Sequence, residues 1–389
     1  MAIVINNTPA DYSSAHGDLV YTVYDSVKTA APLTYPNYKY ILDIYVGGVL
    51  VVTLKAFPNP VNLRGVFNIG MVVRNYVSAV FNPTASVIRA QEFPNFYASV
   101  QCKFRDEWGG VETVTTVDDS TRKFYNHYNG RMLGGYTILG SYVNKIASNR
   151  PTTTSVQLNG GQVFMPFFPS TSSAYSILVV AYDSSNAVIA TSSVGVTAPT
   201  SGYILQQLNF SPIAINSISS GAIPSNTDYY TVSSGSTLYR FNIYCEPRYA
   251  PATLHFLNQF GGFDSMDFPK ISRKGNDIEK KDFTQLGYTI DSSGIMSYYN
   301  GNVLNDNRIT FFSNYKERRI INTDFILESG SRWLGELVRS PQVYLEEGGY
   351  YIPIIVKEAA YEYKTRSVDR LFSLTLNIEM GDDQNTQFR

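Results

Sequence analysis

Residues 38–57 read YKYILDIYVGGVLVVTLKAF, and this stretch constrains the fold more than any other. Two runs of β-branched and aromatic residues meet at Gly47-Gly48. A Gly-Gly pair can adopt the positive φ angles of a tight two-residue hairpin turn, and the flanking runs suit pleated, half-buried strands. Pro58 and Pro60 then end the second strand, because proline has no N–H to give to a ladder. The same grammar recurs along the chain. Strand-like runs flank Gly109-Gly110, the polar turn Asp183-Ser-Ser-Asn186, and Gly348-Gly349.

Other segments complete a mainly β reading with a few short helices. Asp18–Asp25, Phe96–Phe104, Val163–Phe168, Ser176–Tyr182, Ala187–Val196, Thr237–Cys245, Ala252–Leu257 and Arg308–Phe312 are expected strands after a polar leader. Leu371–Met380 alternates, with Phe372, Leu374, Leu376 and Ile378 expected on the buried face. Ala359–Thr365 is a further expected strand, and Gly381–Arg389 a polar tail, frayed or bound to a neighbour. The spacing of Ile69, Val72, Val73, Tyr76, Val77 and Val80 predicts a short amphipathic helix within 66–81. A short helix is expected near Tyr142–Ile146, and another over Ser331–Arg339 with Ser331 as its N-cap. The Ser/Thr/Gly-rich stretches 197–202 and 217–236 read as loops or edge strands. At 389 residues the chain exceeds one ordinary core. The expected organisation is tandem β-sandwich-like domains over 1–150 and 151–250, followed by a mixed, β-rich domain over 251–389.

Charge narrows the function classes. Charged residues are 16% of the chain, and 31 basic residues stand against 32 acidic ones, so no long-range field draws it to nucleic acid. The surface must instead be built from Ser, Thr, Asn and Tyr. The 30 Tyr and 22 Phe favour strands and protein contacts. Two distant cysteines, Cys102 and Cys245, form no disulfide framework and point to a reducing compartment. The first residues, MAIVINNTPADYSS, lack the charge and apolar run of a signal peptide, and no apolar stretch is long enough to span a bilayer. No membrane association is expected.

The sequence carries few chemistry-bearing patterns. His16, His127 and His255 have no His, Cys or carboxylate at metal-binding spacing, and no P-loop, GxSxG or GxGxxG is present. Gly134-Gly135 and Gly261-Gly262 read as turn glycines. The adjacent carboxylates Asp106-Glu107 and Glu346-Glu347 are expected to be solvated in hairpin turns, each pair facing opposite ways. No catalytic, cofactor or metal residue is assigned. Two segments are unusual: the aromatic run Cys245–Phe268 around Gly261-Gly262, read as a tight hairpin, and the charge-dense Lys270–Lys281, KISRKGNDIEKK. The latter reads as a solvated loop or a contact arm. With the tail it supplies the expected subunit contacts Lys270, Arg273, Lys274, Lys280, Lys281 and Arg389.

Five sequence stretches carry a resemblance. YKYILDIYVGG, NLRGVFNIGMVVRNYV and LHFLNQFGGFDSMDF, together with WLGELVRSPQVYLEEGGYYIPIIV and YEYKTRSVDRLFSLTLNIEM, resemble tail and neck structural proteins of Bacteroidetes phages and prophages, including crAss-like phages. The likeness is strongest over 38–81 and 245–389. It implies a virion component made in the host bacterial cytoplasm, multimerising as a tail, collar or ring protein and contacting copies of itself and other virion proteins. No cofactor and no catalytic residue follow from it. Two other readings stay open. One is a receptor- or carbohydrate-binding module at the tail, with Trp108, Tyr298, Tyr299 and Trp333 as stacking candidates for a host-surface glycan, although Trp333 is rather expected to anchor its helix to the core. The other is a glycan hydrolase.

Overall fold

A computed structural model of the chain describes residues 3–31, 33–81, 83, 91–93, 95–128, 143–234, 237–244, 249–300, 302–357, 373–381 and 384–388. Cys245, Arg389 and the expected strand Ala359–Thr365 lie outside these residues. Of the described residues 49% are in strands and 9% in helices, so the fold is mainly β. The chain divides into two compact units, Met1–Cys245 with Phe256–Ser265, and Glu246–His255 with Met266–Arg389.

The first unit contains two sandwich-like cores. The leading hairpin pairs Lys39–Val46 with Val49–Ala56 across a turn in which Gly47 and Gly48 take φ of +58° and +84°. Both are left-handed values that glycine adopts without a Cβ penalty. Lys39–Val46 also pairs with the twelve-residue strand Tyr97–Trp108, which in turn pairs with Arg122–Tyr125. Tyr40, Leu42 and Ile44, with Val100, Cys102 and Phe104, face a three-stranded sheet of Val4–Asn7, Val20–Tyr24 and Gly65–Asn68. Tyr21 and Phe67 meet Phe104 across this gap, ring centres 5.5 and 6.2 Å apart. The second core lies between the five-stranded sheet, which includes Tyr175–Tyr182 and Val188–Val196, and the sheet holding Phe164–Phe168 and Gln206–Asn209. Tyr230 stacks on Phe241 at 5.0 Å and donates its hydroxyl to the Phe210 carbonyl at 2.7 Å. A buried phenol is acceptable there because its polar end is satisfied.

The second unit is built on one large sheet whose order runs Phe263–Phe268, Ala252–Leu257, Val343–Glu347, Tyr350–Val356, Thr375–Met380, Arg308–Asn322, Arg273–Thr284, with Gln384–Phe388 also pairing Arg308–Asn322. The division between units passes through the Ala252–Leu257/Phe263–Phe268 hairpin, whose tip residues Phe256–Ser265 belong to the first unit. At that tip Gly261 takes φ +84°, and a Cβ on it would sit 2.0 Å from the Asn126 carbonyl oxygen. Only glycine fits this turn.

Several expectations are corrected. The apolar stripe within 66–81 does not make an amphipathic helix. Gly65–Asn68 is a strand alternating against Val20–Val23, and only Gly70–Val73 turns helically before a 3-10 turn at Arg74–Tyr76. Ile69, Val73 and Val77 are buried while Tyr76 and Val80 face outward, so the spacing reflects one turn rather than a continuous face. Lys145–Ile146 is a strand, not part of a helix. The polar leader contains the strand Val4–Asn7, and the tail contains Gln384–Phe388. Within 217–236, Tyr229–Ser234 is a central strand, paired on both sides, because its Tyr and Val residues bury against the second core. The C-terminal helix begins at Glu328, one turn early, and Ser331 is buried inside it rather than capping it. The Glu328 carboxylate sits in the first turn, where the helix dipole favours it, and pairs with Arg332 at 2.6 Å. Trp333, Leu334 and Leu337 bury the inner face of that helix, and it ends at Ser340 as expected.

Candidate interaction surface

The structure moves the expected contact residues onto regular secondary structure. Arg273, Lys274, Lys280 and Lys281 lie on the strand Arg273–Thr284, not on a loop. The partner of this strand, Arg308–Asn322, begins 24 residues after it ends (308 − 284), so a reading of 270–281 alone has no pairing signal. The two strands pair antiparallel from Arg273↔Ile320 to Thr284↔Arg308, about 40 Å of ladder at ~3.3 Å per residue. The base is anchored where Arg318–Asn322 pairs Thr375–Glu379. Farther out, Phe312–Tyr315 pairs Gln384–Phe388. Beyond Phe312, among the described residues, the ladder is only two strands wide. It is an arm.

Along its shaft the arm is guarded by charge. Lys274 pairs with Glu347 at 3.0 Å, Arg318 with Asp277 at 3.3 Å and Arg308 with Asp282 at 3.0 Å. Lys281 lies 3.6 Å from Glu279 and over the Phe312 ring. Lys270, just before the strand, pairs with Asp324 at 3.2 Å. Charged side chains on an edge strand oppose edge-to-edge pairing. The expected contact cations are therefore largely occupied within the chain, although Arg273 and Lys280 form no ion pair among the described residues.

The tip differs in kind. Residues 285–307 carry only two charged side chains, Asp291 and Asp306. They fold as two miniature hairpins, Thr289–Ile290 with Met296–Ser297 and Tyr299–Asn300 with Val303–Leu304. The Asp291 carboxylate accepts the N–H groups of Ser293 and Ile295, both at 2.8 Å, and fixes the first turn. Asn305 N–H donates to the Tyr298 carbonyl and Gln285 N–H to that of Asn307. Main-chain groups are thus held locally, while the apolar side chains have no core to enter. Eight large apolar residues within 285–307 are each at least 49% exposed, among them Ile290, Tyr299 and Val303. Summed residue by residue, that is on the order of 1,000 Å² of exposed apolar and aromatic surface. Tyr298 and Tyr299 stand out in the sequence here, but the cluster does not. The signal available was two turn cues, Asp291–Gly294 and Asn300-Gly301, inside an uncharged run flanked by charged strands.

The remaining candidates are internal. Asp106 and Glu107 are not solvated. Both are buried in the strand Tyr97–Trp108 and point to opposite sides. Asp106 accepts from Lys28, Tyr38 and Thr113, while Glu107 takes Lys39 at 2.9 Å and Lys55 at 2.6 Å. These lysines hold the Glu107 carboxyl below its ordinary range. Glu346 and Glu347 also face opposite ways from a strand. Glu346 meets the buried His255 ring at 3.1 Å, and Glu347 meets Arg319 at 2.7 Å. Burial depresses His255 despite that carboxylate, and it depresses the buried His127 to about 4, with His16 adding to the effect. The Cys102 thiol is pushed up to about 12 by burial, which keeps it protonated. Trp333 is buried and offers no stacking face, whereas Trp108 is partly exposed, edge-on to Tyr35 at 5.3 Å. Among the described residues no three His, Cys, Asp or Glu side chains converge as a metal site, and no helix is long and apolar enough to cross a membrane.

No protein-family model matches this chain, and no curated protein matches it.

Proposed function

We propose that the chain is a structural component of a bacteriophage virion, a multimerising tail or neck protein of the collar or ring kind that joins neighbouring virion proteins. The observation that carries this reading is the arm. A two-stranded ladder whose shaft is guarded by charge presents a tip with about as much apolar surface as one side of a standard protein interface, ~800 Å². Leaving such a surface in water is unfavourable by roughly 25 cal/mol per Å², and association removes that cost. The resemblance of 38–81 and 245–389 to phage tail and neck proteins supports the same reading, as does a near-neutral chain that does not repel its own copies. On this account the protein is made in the host bacterial cytoplasm and incorporated into particles. Co-purification tests it: the chain is expected at fixed stoichiometry in gradient-purified particles, and its absence from them would overturn the proposal.

A second reading, a carbohydrate- or receptor-binding module, is favoured by the exposed rings of Trp108, Tyr298 and Tyr299. It predicts glycan-array binding that disappears in Trp108→Ala or Tyr299→Ala. Wild-type protein that binds no glycan would remove it.

A further inference from the structure

The arm tip is not alone in exposing apolar side chains: among the described residues Trp108, Val111 and Val114, and Phe325 and Leu327, are exposed as well. A further stretch lies in the first unit, on the connection that leaves the leading hairpin and on the turns after it. There Phe57, Val61, Val66 and Met71 are 65%, 90%, 48% and 69% exposed within fifteen consecutive residues, counting Phe57 through Met71. Their neighbours explain the exposure. Val66 lies on a strand whose alternate residue, Phe67, enters the core, and Met71 is on a one-turn helix whose Val73 does so. Asn59 and Asn62 tie the loop to itself, accepting the N–H groups of Val61 and Arg64 at 2.9 and 3.1 Å. As at the tip, the main chain is locally held and the apolar groups are left outward. The only charged residue in this stretch is Arg64, while the tip carries Asp291 and Asp306.

We infer that the arm tip of one copy docks on the Phe57–Met71 surface of a second copy of this chain. The inference rests on the assembly reading above and names the partner of the same site. Two observations select a second copy as the occupant, and the first also selects this stretch over Phe325 and Leu327, which the acidic Asp324 and Glu328 flank. The charges are complementary in sign, two carboxylates on the tip and one guanidinium on the receiver. The tip area of on the order of 1,000 Å² matches what one partner contributes to a stable interface. Because the two surfaces differ, the contact is heterologous: it closes rings or propagates, and it does not stop at a symmetric dimer.

The test uses the purified full-length chain with mass photometry and sedimentation velocity. Wild type is expected to form species larger than a dimer as concentration rises. Ile290→Glu with Val303→Glu on the tip, and separately Val61→Glu with Met71→Glu on the receiver, should each weaken association at least tenfold. Thermal melting should be unchanged in both, since all four side chains are exposed. Mixing the two variants is the decisive arm. Each keeps the half that the other lacks, so the mixture should form a one-to-one dimer and nothing larger. A wild type that stays monomeric to roughly 100 μM, variants that associate like wild type, or a mixture that stays monomeric would each overturn the inference. Particle incorporation is scored separately. Variants that fail to self-associate support the inference, whereas absence of wild type from particles sinks the assembly reading itself.

Discussion

Two long antiparallel hairpins in this chain share one local pattern and meet different fates. Lys39–Val46 with Val49–Ala56 is backed by Tyr97–Trp108 and covered on one face by a second sheet, so Tyr40, Leu42 and Ile44 are fully buried. Its other face is laced by cross-strand ion pairs, including Lys39–Glu107 and Arg105–Asp43. Arg273–Thr284 with Arg308–Asn322 has the same pairing geometry, but its outer half has neither a third strand nor a covering sheet among the described residues. Ladder hydrogen bonds shape both, and burial stabilises the length of the first but in the second mainly the base, around Arg319 and Ile321. What separates scaffold from contact element is therefore the layer above the hairpin, not the hairpin itself.

The contrast can be broken most forcefully on the packed side. Phe104→Ala removes a fully buried ring shared by both sheets of the first core, and should cost about 3–5 kcal/mol in urea unfolding. A loss under ~1 kcal/mol would mean that the two sheets do not share that core. Gly261→Ala, forced against the Asn126 carbonyl at a left-handed φ, should cost about 2–4 kcal/mol. Gly294→Ala also has a left-handed φ, but it has open space around it, so it should cost no more than about 1–2 kcal/mol, confined to the arm.

A pH titration sharpens the same comparison. His127 is buried neutral, with its pKa lowered from 6.5 to about 4, so the unfolded chain binds the extra proton between those values. Its contribution is fully present above pH ~6.5 and is lost as pH falls toward 4. Carboxyls held low by cations, such as Glu107 and Glu112, lose theirs only at still lower pH. The melting temperature of wild type should therefore fall between pH 6.5 and 4.5, and His127→Gln should flatten that slope. An unchanged slope would exclude His127 as its source. The smallest effect belongs to the arm: Ile290→Ala should shift monomer stability by less than ~0.5 kcal/mol, since no core receives that side chain.

Much of the scaffold was legible because its determinants are local. Gly47-Gly48, Gly109-Gly110 and Gly348-Gly349 mark turns by the φ they permit, and each pair takes positive φ. Leu376 and Ile378 bury as their alternation indicates. Misreadings arose where the deciding contact is distant. Lys270–Lys281 reads as a solvated run until Arg308–Asn322 pairs with it, and Asp106-Glu107 reads as a turn until Lys28, Lys39 and Lys55 converge from other segments. The stripe from Ile69 to Val80 imitates a helix because Ile69, Val73 and Val77 fall on one side of a single turn followed by extended chain. The candidate surface was legible only in part. Its charged shaft was marked in the sequence, while the apolar tip looks like any strand-forming stretch until exposure is known.

The central claim, that the arm is a contact element between copies, is tested most directly in assembled particles. A photo-crosslinker placed at Tyr299 should, on irradiation, join one copy of this chain to another within 57–71. Cross-links only to other virion proteins, or none from particles that contain the chain, would contradict it.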